Sequence, residues 1–173
     1  LVLLVFGTMH AWSQAFVAQS LGHIGGNVDQ VLLDSSSDLL FVKQGVVVRV
    51  FDVANSVAPP VALGTLDPGG DAMAMAWDAS RSLLLVATDD EIVVLAPSLG
   101  WSAEPVGRLT FSAELAPGDA VMRLTAANGL AFLRAGDRLV RADLTDPTVP
   151  GLLSTLDLAA LDGVDGRSRE TLG

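Results

Sequence analysis

The sequence contains no cysteine. Disulfides, thiolate metal sites, cysteine catalysis and a lipid-modified N-terminal cysteine are all excluded by that one absence. Positive charge is scarce: Lys and Arg together number 10, Lys43 being the one lysine, against 20 acidic residues, for a formal net charge of −10. Binding through nucleic-acid phosphates needs clustered positive charge, so that class of partner is not expected, and an acidic surface is repelled by anionic membranes. Histidine is limited to His10 and His23. Any His-based zinc site or Ser-His-Asp catalysis in a chain processed beyond His10 would have to use His23 alone. Gly22, Gly25 and Gly26 around it lack the strand, helix and Lys-Ser/Thr context of a phosphate loop.

Long apolar runs are also missing after the first residues. Leu1-Val2-Leu3-Leu4-Val5-Phe6 is followed by Gly7-Thr8, and the run is broken at His10 and Ser13-Gln14. A bilayer span needs about 20 apolar residues, so residues 1–15 read as part of a secretory signal peptide with small residues ahead of a cleavage point. That places the protein outside the cytoplasm: secreted, periplasmic or on the cell surface. The basic start of such a signal is not in the sequence, so a fragment of a longer protein is expected.

Half of the 173 residues are hydrophobic, enough for a sizeable core. The dominant pattern is a repeat. Pro60-Val61-Ala62-Leu63-Gly64-Thr65-Leu66 returns as Pro105-Val106-Gly107-Arg108-Leu109-Thr110-Phe111 and as Pro150-Gly151-Leu152-Leu153-Ser154-Thr155-Leu156, a 45-residue spacing with proline, threonine and a final large apolar residue in register. A period of this size means one supersecondary unit used repeatedly.

Each unit divides into four short strands separated by turn residues. The first has Val28 to Leu33, Leu39 to Lys43, Val46 to Asp52 and Val61 to Leu66. The second has Ala72 to Trp77, Leu83 to Thr88, Ile92 to Ala96 and Val106 to Phe111. The third has Ala120 to Thr125, Leu130 to Arg134, Arg138 to Asp143 and Gly151 to Leu156. Connectors such as Asp34-Ser35-Ser36-Ser37-Asp38 and Ala126-Ala127-Asn128-Gly129 are rich in residues that bond their own backbone or accept positive φ. Gln44-Gly45, Asp89-Asp90 and Gly136-Asp137 read as tight hairpins between second and third strands. The second strands are nearly continuous apolar runs, which suits sheets covered on both faces. Leu156 to Leu161 is the one helix-like stretch.

The run from Leu130 to Pro150, with a strand ending in Ala142-Asp143, then Asp146-Pro147 and Pro150, resembles the LVIVD-repeat class of β-propeller. The first unit matches through Leu39 to Phe51, Asp52-Val53-Ala54-Asn55 and Pro59-Pro60, whereas the second has Ala96-Pro97 where the strand-ending Asp should stand. The resemblance covers residues 28–156. It implies an all-β chain: a propeller segment of three four-stranded antiparallel blades at residues 28–67, 68–112 and 113–156. An orphan outer strand at residues 16–27 would precede them, and a turn or the start of another blade at residues 157–173 would follow. Rings need about four to eight blades, so further blades are expected in cis or by oligomerisation.

No catalytic residues belong to that motif, and most carboxylates sit where a turn would use them: Asp34, Asp38, Asp52, Asp78, Asp143 and Asp146. The tail with Asp162 and Asp165 fails the calcium-loop spacing. The best candidate site is positional. Asn27, Asp71 and Asp119 recur just before the innermost strands, and the hairpin tips at Asp89, Asp90 and Asp137 should decorate the same channel mouth. No cofactor is expected; calcium or a polar ligand is what such a ring of oxygens would suit. Trp101 is the candidate interface anchor. The expected function is a non-enzymatic scaffold whose loops bind a protein, a glycan or a cell-surface component. The alternative is a propeller-type enzyme, a calcium-dependent hydrolase or a quinone-cofactor dehydrogenase.

Overall fold

The computed structural model describes residues 28–55, 57–97, 104–116 and 118–162. The expectations placed on residues 1–27, including the signal peptide, the orphan strand, His23 and Asn27, lie outside these, as do Trp101 and the tail from residue 163. Twelve strands follow one another: β1 Gln30–Asp34, β2 Leu39–Gln44, β3 Val47–Asp52, β4 Val61–Leu66, β5 Ala74–Asp78, β6 Leu83–Ala87, β7 Glu91–Leu95, β8 Gly107–Thr110, β9 Val121–Ala127, β10 Leu130–Ala135, β11 Arg138–Asp143 and β12 Gly151–Asp157. They form three separate four-stranded sheets, ordered β1-β2-β3-β4, β5-β6-β7-β8 and β9-β10-β11-β12, antiparallel throughout. We call these blades 1, 2 and 3.

The local chemistry explains why each blade is a simple meander. Asp34 and Asp78 end the inner strands of blades 1 and 2 and accept the N–H of Ser36 and Ser80 at 3.1 Å, closing four-residue turns. In the same turns Asp38 and Ser82 adopt φ of 55° and 54°. Blade 3 makes this connection with the two residues Asn128-Gly129, both at positive φ. Asp52, Asp143 and Asp146 likewise accept the N–H two residues on, at 2.7–3.0 Å. The sequence places the first-blade hairpin at Gln44-Gly45; the structure moves it to Gly45-Val46, because Gln44 is drawn into register opposite Val47. The helix-like stretch also shrinks: β12 runs on to Asp157, and a single turn of helix occupies Ala159–Asp162.

The blades pack face to face through their inner strands, β1 against β5 and β5 against β9. Because side chains alternate across a strand, a blade buried between two others must be apolar on both faces. Blade 2 is. Its second strand, Leu83-Leu84-Leu85-Val86-Ala87, is buried at every position. Leu84, Val86, Val93 and Leu95 join Phe41, Val48, Val50 and Leu66 in the seam with blade 1. Leu85, Ala87, Ile92 and Val94 join Leu124, Ala131, Leu133 and Val140 in the seam with blade 3. The core is therefore two apolar layers, one on each side of a central sheet.

Outer strands close the seams by backbone contact. A Cβ on Gly107 of β8 would lie 2.0 Å from the Pro147 carbonyl oxygen of blade 3, whereas one on Gly151 would meet nothing within 4 Å. Gly107→Ala is accordingly expected to destabilise the fold by about 1–3 kcal/mol, through a forced separation of blades 2 and 3. Thermal melts of Gly107→Ala and Gly151→Ala check this: a lower Tm is expected for the first alone, and equal melting of both would contradict the seam geometry.

Candidate functional site

The inner strands β1, β5 and β9 line a cleft of about 470 Å³ along the would-be axis of the stack. Its wall carries Asp29, Gln30, Lys43, Met73, Met75, Trp77, Met122, Arg123 and Thr125, polar at the rim and thioether-rich along the strands. Met73 and Met122 are exposed to it while Met75 is fully buried.

Lys43 reaches this wall from β2 and is only 7% exposed. A buried ammonium needs a partner, and the Asp29 carboxylate supplies one at 3.0 Å. The hydrogen bond and charge of Lys43, with the Gly45 N–H, hold the Asp29 carboxyl below its ordinary value. Beside it Gln30 spans the seam. Its amide donates to the Met75 carbonyl at 2.9 Å and accepts the Met75 N–H at 2.8 Å, so one side chain replaces the backbone partner that an inner strand edge lacks.

At the opposite end of the inner strands, Asp78 locks blade 2 to blade 3. One carboxylate oxygen takes the Ser80 hydroxyl at 2.6 Å, and the other takes the Gly129 N–H at 2.9 Å across the seam. Burial by itself would raise the Asp78 pKa, but the Ser80 hydroxyl and the Gly129, Ser80 and Asn128 N–H groups outweigh it, and the net shift is downward. Asp34 follows the same balance: burial opposes ionisation, and Ser36 and Ser37 overcome it, helped by the nearby Trp77 indole. That indole N–H is buried without a hydrogen bond of normal geometry, its ring lying 5.0 Å from Phe41. Arg81 completes the lock by donating to the carbonyls of Leu144 and Thr145 at 2.6 and 2.7 Å.

The candidate ring residues fall beside the hairpins, one blade at a time. Asp71 is exposed just ahead of β5, and its neighbour Gly70 packs on Thr88 of the hairpin bearing Asp89 and Asp90. Asp89 is exposed; the Asp90 carboxylate accepts the Thr88 hydroxyl at 3.0 Å. Asp119 turns back to accept the Ala116 N–H at 2.9 Å and lies against Gly136, next to the exposed tip Asp137. In blade 1 the carboxylate against the hairpin is Asp29. Sequence reasoning passed over Asp29, Gln30, Lys43 and Arg123; the clue available for Gln30 was its offset of 45 residues from Met75, one repeat apart. Among the described residues, no three His, Asp or Glu side chains gather as a metal-ligating group.

Rigid interlocked sheets, a cleft on the inner side and exposed carboxylates at the tips make a surface for recognition, with charged groups at the seams spent on holding the blades together. The fold is that of a β-propeller. The chain is similar to the β-propeller domain of Cps50 (Swd1) from Myceliophteria thermophila, with a TM-score of 0.58, 15% identity and coverage of 82% of this chain and 44% of that one. It is similar also to Hsv2 of Kluyveromyces lactis, with a TM-score of 0.57 and 13% identity over 78% of this chain and 48% of that one. A chain of a nidogen/laminin complex gives a TM-score of 0.56 and 12% identity, with 75% and 47% covered. The chain thus spans less than half the length of each of these three structures. No protein-family model and no curated protein matches the sequence.

The Asp78 lock has a pH signature. Its folded pKa is lowered from the model value of 3.8, so its contribution is present above that value and is lost as pH falls through the lower, folded one. Asp78→Asn should melt lower than wild type at pH 7, and the gap should close on acidification to below the ordinary carboxylate range. A gap that stays constant down to strongly acid pH would remove the carboxylate from the seam.

Proposed function

We propose that this chain is a non-enzymatic β-propeller scaffold of the LVIVD-repeat type, exported from the cytoplasm, whose loop face binds a protein, a glycan or a cell-surface component. The observation that carries this reading is the division of labour among the carboxylates. Those at turns are consumed by their own backbone, as at Asp34, Asp52, Asp78, Asp143 and Asp146, which fixes the loops. Asp71, Asp89 and Asp137 remain exposed next to the hairpins on one end of the inner strands. A rigid scaffold with polar groups free at its loop tips is built for recognition. The presence of a similar fold in a nidogen/laminin complex supports protein binding, and the chain's span of under half of that neighbour supports further blades in cis or from other copies completing the ring.

The test is a screen of the folded chain against arrays of extracellular-matrix proteins and glycans, repeated with Asp71→Asn/Asp89→Asn/Asp137→Asn. The triple variant is expected to keep the wild-type Tm and to lose the strongest signal; retention of that signal would move recognition elsewhere. Calcium titration followed by Tm separates scaffold from metal site. No rise is expected, and a rise abolished by Asp71→Ala with Asp119→Ala would replace this reading with a cation-binding ring.

A further inference from the structure

The far face of blade 3, the side turned away from blade 2, differs in kind from the two buried seams. On the near side Leu124, Ala131, Leu133, Val140 and Ala142 are apolar and packed. On the far side the alternating positions are Arg123 and Thr125 of β9, Phe132 and Arg134 of β10, Leu139 and Arg141 of β11, and Leu156 of β12. Arg123 stands directly opposite Arg134 in the register, and Arg141 directly opposite Phe132. Like charges placed opposite each other across a ladder cost stability, so the Arg123/Arg134 pair is unfavourable until an anion lies over it.

All three guanidinium groups belong to exposed residues, and Phe132 and Leu139 are half-buried among them. The only bond made by their side chains is a local one of 3.3 Å from Arg134 Nε to the Gly136 carbonyl. The acid on this face, Asp143, lies near Arg141 but is already engaged by the Thr145 N–H at 2.7 Å. Elsewhere basic groups are occupied: Lys43, Arg108 and Arg138 in ion pairs, Arg81 on carbonyls. In a chain of net charge −10 this is a concentration of positive charge around an apolar strip.

The locks that join blades 1 to 2 and 2 to 3 are also absent here. Ala127 occupies the inner-strand end held by Asp34 and Asp78 in the other blades, and the two-residue Asn128-Gly129 turn leaves no counterpart of Arg81. The face is therefore not a third copy of the apolar seam. We propose that it is a docking surface for a separate acidic polypeptide segment, one that places carboxylates over Arg123, Arg134 and Arg141 and apolar side chains on Phe132, Leu139 and Leu156. A second copy of this chain does not supply that match through its first blade, whose far face carries Val31, Leu33 and Arg49. A long polyanion would be repelled by the rest of the chain; a short acidic, apolar segment touches only this face.

The probe is a labelled peptide of about twelve residues repeating Glu-Glu-Leu-Leu, which in extended form shows both residue types on each side. Its controls are the Lys-Lys-Leu-Leu counterpart and a single-stranded oligothymidylate, all followed by fluorescence anisotropy at low and high salt. The acidic peptide alone should bind, more weakly as salt rises, and Arg123→Gln/Arg134→Gln/Arg141→Gln or Phe132→Ala should each weaken it about tenfold or more. The triple variant should melt no lower than wild type, since a repulsive pair has been relieved, so that its lost binding cannot be ascribed to unfolding. The proposal is overturned by no binding of the acidic peptide, by undiminished binding to the triple variant, by a lowered Tm of that variant, or by oligothymidylate binding as well as the peptide does. The assay is independent of the hairpin-tip screen, so either reading can fail without the other.

Discussion

Everything in this structure depends on burying both faces of the middle sheet. A four-stranded antiparallel meander with one wet face can stand as half of a sandwich, but Leu83-Leu84-Leu85-Val86-Ala87 has no wet face. Its even and odd positions look into different clusters, Leu84 and Val86 into one and Leu85 and Ala87 into the other. Truncating a side chain such as Leu85 to alanine would cost about 2–5 kcal/mol, a large part of the stability of an ordinary domain. Blade 2 is thus held in shape by its neighbours, and the stacking is a folding requirement before it is a platform for binding.

Polar groups refine what apolar burial makes compulsory. Apolar seams are tolerant of sliding, and Gln30 with Met75, Asp78 with Gly129, and Arg81 with Leu144 and Thr145 each fix one blade's position relative to the next. They work because a buried polar group left without its partner is costly, which turns a modest bond into a strict geometric condition. The same condition explains the glycines at the seams. Gly107 lets the Pro147 carbonyl approach, and Gly129, at φ 77°, sits under the Arg81 guanidinium, which a Cβ would approach to 3.0 Å.

The fold was largely legible in the sequence because its signals are local. The bounds expected for the strands at Val61–Leu66 and Arg138–Asp143 coincide with those observed, since proline, glycine and aspartate fix both ends. β5 begins at Ala74, two residues later than the apolar run that starts at Ala72, because hydrophobicity does not mark where pairing with β6 starts. The carboxylates assigned to turns at Asp34, Asp52, Asp78, Asp143 and Asp146 are there because an Asx turn needs nothing beyond two residues ahead. Long-range partners carry no such signal. That Asp78 also reaches Gly129, 51 residues away, follows only from the stacking. Lys43 reads as one cation among few, and its burial against Asp29 depends on how two strands align. The cationic face of blade 3 was hidden for the same reason, being assembled from β9, β10 and β11 by register.

Native-state hydrogen exchange on the folded chain tests the central requirement most directly. If both seams must form for the middle sheet to exist, the amides of β6 and β7 are the slowest in the molecule and exchange only with global unfolding, at least as slowly as those of β2 and β10. Middle-strand amides that exchange faster than those of either flanking blade, or three sheets that open independently of one another, would contradict it.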